Sequence, residues 1–437
     1  MKKLFFAAGL AFGLAFNLSA GETLRLNLEP EQEYILSGSP QEIVVKIDLL
    51  AERLKGDRRK RTPLNLAIVL DKSGSMSGAK IEKTRQAAMQ LVDRLSADDY
   101  LSVVTYSDST DVLFESQKVE DPERLKSRIS RINTSGSTAL YAGVEEGAEQ
   151  LAKHFSTKRI NRVILLSDGL ANIGPSKPAD LRRLGRQLSE RGFAVTTVGV
   201  GDDYNEDLMA GLAEASDANY YYVQDTEKLS EIFAKELGEL ITVAAREIQI
   251  EITCPKGVKP IGLIGRPEKF EGQTAMVKLS QLSSGQQRYL FLKCRVEQEK
   301  PEIAQVKISY VDDLNGGRKG AVSQNATVRY TKDSSVATKS VRHEVAAQKT
   351  LVANAVAKDE VLALCDSNNF KEAEKKIEQQ TAVLIDCVKT APAAEQSKLK
   401  LEIENLRERK DQIARGQYDK SLRKSFQSES FQYRNSK

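Results

Sequence analysis

Between Thr23 and Leu50 apolar and polar residues alternate (TLRLNL, then EIVVKIDLL), with turn residues from Ser37 to Pro40 between the two runs. Side chains of an extended chain point to opposite faces in turn, so this period of two predicts half-buried strands. From Pro63 to Gly238 the pattern changes. Short apolar runs (LNLAIVLD, YLSVVTYS, VLFESQKV, RVILLSDG, FAVTTVGVG, NYYYVQD) are interleaved with stretches whose apolar residues recur at helical spacing, from AKIEKTRQAAMQLVDRL to TEKLSEIFAKELGEL. Strands alternating with helices predict a mostly parallel sheet covered on both faces. Alternation of period two returns from Ala245 to Tyr330 (REIQIEITC, AMVKLSQL, QRYLFLKCRV, AQVKISYVDD, GAVSQNATVRY), with Asn315-Gly316-Gly317 as a hairpin turn. Residues 340–365, 369–389 and 393–414 then read as helices rich in Ala, Lys, Glu and Gln.

The order of these stretches predicts an α/β fold, a doubly wound and mostly parallel sheet inserted in a β-sandwich-like domain and followed by an α-helical C-terminal region. The expected boundaries are 21–62 and 239–332 for the two parts of the sandwich, 63–238 for the α/β block and 333–437 for the helices. The polar end, SLRKSFQSESFQYRNSK, is expected to be a disordered tail. Packing against one another accounts for the Ala and Leu stripes of the helices.

The first residues add a compartment. MKKLFFAAGLAFGLAFNLSA has two lysines, an apolar run from Leu4 to Phe16 and small polar residues before Gly21, which reads as a secretory signal peptide cleaved near Ala20. The run is shorter than the ~20 residues that cross a bilayer. An exported protein is therefore expected, periplasmic or secreted. Charge excludes little except nucleic acid: 65 basic against 61 acidic residues give a net +4, with no basic patch interleaved with aromatics. The basic KGDRRKRTP at 55–63 reads as a solvated linker. Export permits disulfides among the four cysteines. Cys254 and Cys294 lie in strand-like runs and are candidates for a bridge between neighbouring strands. Cys365 and Cys387 fall near the ends of consecutive helices, about 25 Å apart at 1.5 Å per residue, too far for a bond, and are expected as free thiols.

The chemistry lies in VLDKSGSM, residues 69–76. Asp71, Ser73 and Ser75 follow a buried strand at alternate positions, and in extended chain such residues project to one side. GSTAL places Thr138 at the start of a helix, and LLSDG places Asp168 at the end of another strand. In a parallel sheet all three loops can leave by the same edge, where such sheets bind ligands. Hydroxyls and carboxylates without imidazole or thiolate select a hard cation, Mg²⁺ first and Mn²⁺ or Ca²⁺ as alternatives. With only two acidic residues around it, the ion remains an electrophile for a carboxylate from outside. Each piece has a bland reading too, as an N-cap or a turn; the three loops in this order argue against it.

At these residues the block from Pro63 to Leu237 resembles a von Willebrand factor A domain with a complete metal-ion-dependent adhesion site. Asp71, Ser73 and Ser75 match its D-x-S-x-S pattern, Thr138 its second-loop threonine and Asp168 its third-loop aspartate. The resemblance implies Ser73 and Ser75 as direct ligands, Thr138 as a ligand once a partner binds, and both aspartates reaching the metal directly or through water. It also implies that partner binding can shift the last helix of the block, residues 226–237. The wider layout is similar to the inter-alpha-trypsin inhibitor heavy chains, while the helical end matches no family pattern.

These readings lead to a non-enzymatic protein-binding function, gripping an Asp or Glu of a protein partner through the cation. Two rivals stand beside it. A Mg²⁺-dependent phosphoryl-transfer site of the haloacid-dehalogenase kind wants a second aspartate two residues after the first, where this chain has Ser73. Serine hydrolysis wants a base, and His154 and His343 adjoin no motif; Val198 to Gly201 is too short for a dinucleotide fingerprint. The other rival is a structural assembly factor acting through the helical C-terminus. A pore is excluded for the chain alone by the lack of a spanning segment.

Overall fold

The structure, a computed structural model, describes residues 23–53 and 61–435. The expected signal peptide lies outside the described residues, as does most of the basic linker. Three strands precede the central block: β1 (Leu24–Pro30), β2 (Tyr34–Leu36) and β3 (Gln41–Ala51). The block follows with β4 (Leu64–Asp71), α1 (Ala79–Val92), β5 (Tyr100–Tyr106), β6 (Thr110–Lys118), α2 (Pro122–Ile129) and α3 (Leu140–Ala152). It continues with β7 (Ile160–Ser167), α4 (Pro178–Glu190), β8 (Ala194–Val200), α5 (Glu206–Ala215), β9 (Tyr220–Val223) and α6 (Leu229–Ile241).

Strand order in this sheet is β6-β5-β4-β7-β8-β9, with only β6 antiparallel. Every residue of β4 and β7 is buried, which is why both are apolar through their middles, Leu66–Leu70 and Val163–Leu166, rather than alternating. One apolar core lies on the α1, α2 and α6 side of the sheet and a second on the α3, α4 and α5 side. The carboxyl ends of β4, β5 and β7 share an edge, and there the ends of β4 and β7 meet the loop before α3 in the site described below.

After α6 come β10 (Val243–Thr253), β11 (Val258–Leu263), β12 (Thr274–Ser283), β13 (Gln287–Val296), β14 (Glu302–Asp312), β15 (Arg318–Thr327) and β16 (Arg329–Thr331). They join the first strands in two four-stranded sheets, β1-β3-β13-β11 and β12-β10-β14-β15, whose inner faces share one core that includes Val45, Ile47, Ile250, Val277, Leu292 and Val306. The expected interruption of a sandwich by the α/β block is thus present in the strand pairing: β3 pairs with β13 across the whole insertion. The Asn315-Gly316-Gly317 turn joins β14 to β15, with Gly316 left-handed at φ 80°.

Two features of the sandwich differ from the sequence reading. Cys294 lies on β13, and Cys254 directly follows β10 in the facing sheet, so the two are not on neighbouring strands; both are buried free thiols. Burial pushes the Cys254 thiol up to about 12. Strand β11 was also not foreseen, because Pro260 and a register shift at Gly262 break its alternation, as suits the edge position it occupies. Cys365 and Cys387 are free thiols, the first buried and the second half-buried.

The end of the chain holds α7 (Ser334–Lys339), α8 (His343–Asp366), α9 (Phe370–Val388), α10 (Ala393–Ala414) and α11 (Lys420–Arg434). The expectation of a disordered tail is wrong: residues 420–434 form a helix, capped by the Asp419 carboxylate accepting from Leu422 N–H at 2.8 Å. Its apolar residues divide between two cores. Leu422 and Phe426 enter the core of the helical region, while Phe431 enters the core of the α/β block edge-on to Tyr220. The polar residues meet partners from distant sequence rather than water. Lys424 forms a buried pair with Glu206 (2.8 Å), and Arg423 reaches Glu206, Asp207 and Asp366. Among the described residues no helix is long and apolar enough to cross a membrane.

Candidate functional site

Asp71 is the last residue of β4 and is fully buried. Its Oδ1 accepts from Ser73 N–H and its Oδ2 from Ser167 Oγ–H, both at 2.8 Å. The Ser73 and Ser75 hydroxyls lie 3.1 Å apart, and Ser75 Oγ donates to Asp168 Oδ1 at 2.7 Å. The chain after Asp71 is not extended throughout, as the spacing alone suggested. Ser73 is extended, but Gly74–Met76 is a 3-10 turn, and that turn carries Ser75 round toward Asp168. Nor do these hydroxyls cap α1, whose cap position is Gly78 without a side-chain bond.

The second loop is tied to the first by Gly74 N–H to Gly136 O (3.0 Å) and Ser135 N–H to Lys72 O (2.7 Å). Gly136 has φ 78°, and a Cβ there would stand 2.4 Å from Asp108 Oδ2. That close approach lets Asp108 Oδ1 accept from Ser137 N–H at 2.8 Å and fixes the residue before Thr138. Thr138 itself is buried, with its N–H donating to Asn172 Oδ1 at 2.8 Å. In the third loop a Cβ on Gly169 would meet Thr138 Oγ1 at 3.0 Å and Ser75 Oγ at 3.4 Å. The three loops therefore bring Asp71, Ser73, Ser75, Thr138 and Asp168 together.

Electrostatically the site is short of positive charge. Burial raises the Asp71 carboxyl above its usual range, more than its bonds from Ser73 and Ser167 lower it, and the Asp168 charge raises it further. Beneath them, burial and the Asp71 charge hold the Tyr106 phenol well up, so it stays neutral and donates to Leu166 O. Two buried carboxylates with three hydroxyls and no nitrogen or sulfur donor form a set suited to a hard divalent cation. Ser75 is exposed, leaving one side open to solvent. Among the described residues no group of three or more His, Cys, Asp or Glu is placed to hold a metal ion.

Sequence reasoning missed Lys80. Its Nζ donates to Asp168 Oδ2 at 2.5 Å, opposite the oxygen that Ser75 holds. A lysine in the first turn of a helix is set against the helix dipole, and that misplacement was the available signal of a specific anionic partner. Asn172 and Asp108, which hold the Thr138 loop, had no comparable signal.

Residues 65–235 match the family model for the von Willebrand factor type A domain. Those residues form a von Willebrand factor type A domain. With its A domain set between the two halves of a sandwich, the chain is 30% identical over 274 residues to an uncharacterized protein of Synechocystis sp., covering 60% of this chain and 64% of that one. It is also 29% identical over 159 residues to inter-alpha-trypsin inhibitor heavy chain H3 of Homo sapiens, covering 35% of this chain and 18% of that protein. The chain thus spans less than two thirds of these relatives. Among solved structures, a von Willebrand factor type A protein from Catenulispora acidiphila shares the fold over 93% of this chain and 96% of its own, at TM-score 0.71 and 15% identity. Similarity therefore extends beyond the A domain to the sandwich and helices.

Proposed function

We propose that this protein is exported and non-enzymatic, and that its A domain grips an Asp or Glu side chain of a protein partner through a divalent cation. Mg²⁺ is the first choice, with Mn²⁺ or Ca²⁺ as alternatives. The observation that supports this most is the convergence of Asp71, Ser73, Ser75, Thr138 and Asp168 on one solvent-facing edge. Neutral hydroxyls dominate that set, so a cation held there keeps charge to offer an incoming carboxylate. His154 lies elsewhere, its ring centroid 4.2 Å from that of Tyr100 and its Nε2 at Ser116 O.

In this reading the block 63–238 is the binding module, with 21–62, 239–332 and 333–437 as its mount. The A domain's last helix, α6, ends where Ser283 Oγ–H bonds Glu239 O (2.8 Å) and Ser284 N–H bonds Thr242 O (2.8 Å), so movement of α6 would reach the sandwich. Partner binding is then expected to alter hydrogen exchange across residues 226–260; unchanged exchange on binding would remove this coupling. The function itself is tested by using the mature protein as bait in the exported fraction of the source cell, in Mg²⁺, in chelator, and with Thr138→Ala. Capture by the wild type in Mg²⁺ alone is expected. Capture indifferent to both chelator and substitution would sink the proposal and move the function to the sandwich or the helices.

A further inference from the structure

The loop from Asp168 to Lys177 joins β7 to α4 and carries two large apolar side chains into solvent: Leu170 is 56% exposed and Ile173 36%. Lone exposed aliphatics are ordinary on a protein surface. These two are three residues apart, and their loop is fastened to the metal-site threonine. Asn172 Oδ1 accepts from Thr138 N–H, while Asn172 N–H and Ile173 N–H both point to Thr138 O, at 3.2 and 3.4 Å. Gly169 lies against the Thr138 and Ser75 hydroxyls, and between the two exposed residues Ala171 packs on the core beneath. The loop is thus anchored at 169, 171 and 172, which holds Leu170 and Ile173 outward beside the oxygens of the site.

We infer that Leu170 and Ile173 are the specificity rim of the metal site, and that the partner is a protein segment whose acidic residue is flanked within about two positions by a large aliphatic or aromatic side chain. The inference rests on the metal-mediated grip proposed above. A carboxylate alone is common to every protein surface, so coordination by itself selects little. An apolar neighbour supplies the discrimination, because its burial against Leu170 and Ile173 occurs only when the carboxylate is already on the metal.

The test uses the full mature chain and a peptide library with a fixed central aspartate and randomised flanks, panned in Mg²⁺ and in chelator. The wild type is expected to retain, in Mg²⁺, peptides enriched in Leu, Ile, Val, Met or Phe beside the aspartate. Leu170→Ser with Ile173→Ser is expected to bind the best such peptide about tenfold more weakly, the worth of roughly one aliphatic contact, with Mg²⁺ affinity by calorimetry unchanged. Mg²⁺-dependent capture that ignores the flanks, prefers polar ones, or is the same in the double variant overturns the rim and leaves the metal grip standing. Absence of any Mg²⁺-dependent capture overturns the grip, and the rim with it.

Discussion

Replacing Lys80 by methionine keeps the length and apolar stem of the side chain and removes its charge. In the structure the ammonium is on Asp168 Oδ2, and Asp168 is fully buried while Lys80 is about a quarter exposed. Breaking a fully buried pair by removing one partner costs about 3–5 kcal/mol. Partial exposure of the lysine lets water screen the pair, so about 2 kcal/mol is the expected loss in chelator, near the worth of one charged hydrogen bond. For a block of this size that lowers the melting temperature by about 4–8 °C. The same ammonium repels a divalent ion that shares Asp168, so its removal should tighten Mg²⁺ binding by about tenfold or somewhat more, at 1.4 kcal/mol per factor of ten. Lys80→Arg should restore wild-type behaviour in both respects. The assays are thermal unfolding in chelator and in Mg²⁺, with calorimetric titration of Mg²⁺. A Lys80→Met protein as stable as wild type in chelator, or one that binds Mg²⁺ more weakly, would refute the view that Lys80 is the counter-ion of Asp168 when no cation is bound.

Three further outcomes are expected. Phe431→Ala should lower stability by about 3–5 kcal/mol, read as a fall in unfolding temperature, since the ring enters the A-domain core against Tyr220; no change would mean that α11 is not seated there. Gly136→Ala places a Cβ 2.4 Å from Asp108 Oδ2 at φ 78°, so it should disturb the Thr138 loop and cost at least about 1–2 kcal/mol. Mg²⁺ affinity measured for that variant should fall, and unaltered affinity would count against the loop's rigidity. In a thiol assay without reductant, the unfolded protein should show all four cysteines, whereas in the native state Cys254 and Cys294 should resist alkylation at pH 8. Their thiols are held up by burial, so little thiolate exists there, and reactivity should rise only as pH climbs toward about 12 for Cys254.

The elements that showed in the sequence are those whose signal is local. Strands β4 and β7 are buried on both faces and are apolar through their middles, and the five candidate ligands sit in short motifs at strand ends or before a helix. Recognition of the sandwich followed from the order of alternating stretches on either side of the block. What escaped depends on partners far away in the chain. The residues of α11 look solvated because the groups that neutralise Arg423 and Lys424 are Glu206 and Asp207, over two hundred positions earlier. Lys80 needed Asp168, and the placement of Cys254 and Cys294 against facing sheets depended on which sheet each strand joined.

The placement of α11 also bears on the order of events in folding. Strand β9 is an edge of the six-stranded sheet, and an uncovered edge is a template for unwanted strand pairing. Its Tyr220 is packed by Phe431, and Tyr222 meets Ser421, so the cover for this edge is synthesised well after the strand itself. Contacts so distant in sequence close slowly. Until they close, the nascent A domain holds its candidate-site loops on a sheet with one raw margin, and a chain cut short before residue 420 keeps that margin indefinitely. Aggregation or proteolysis would then remove incomplete molecules.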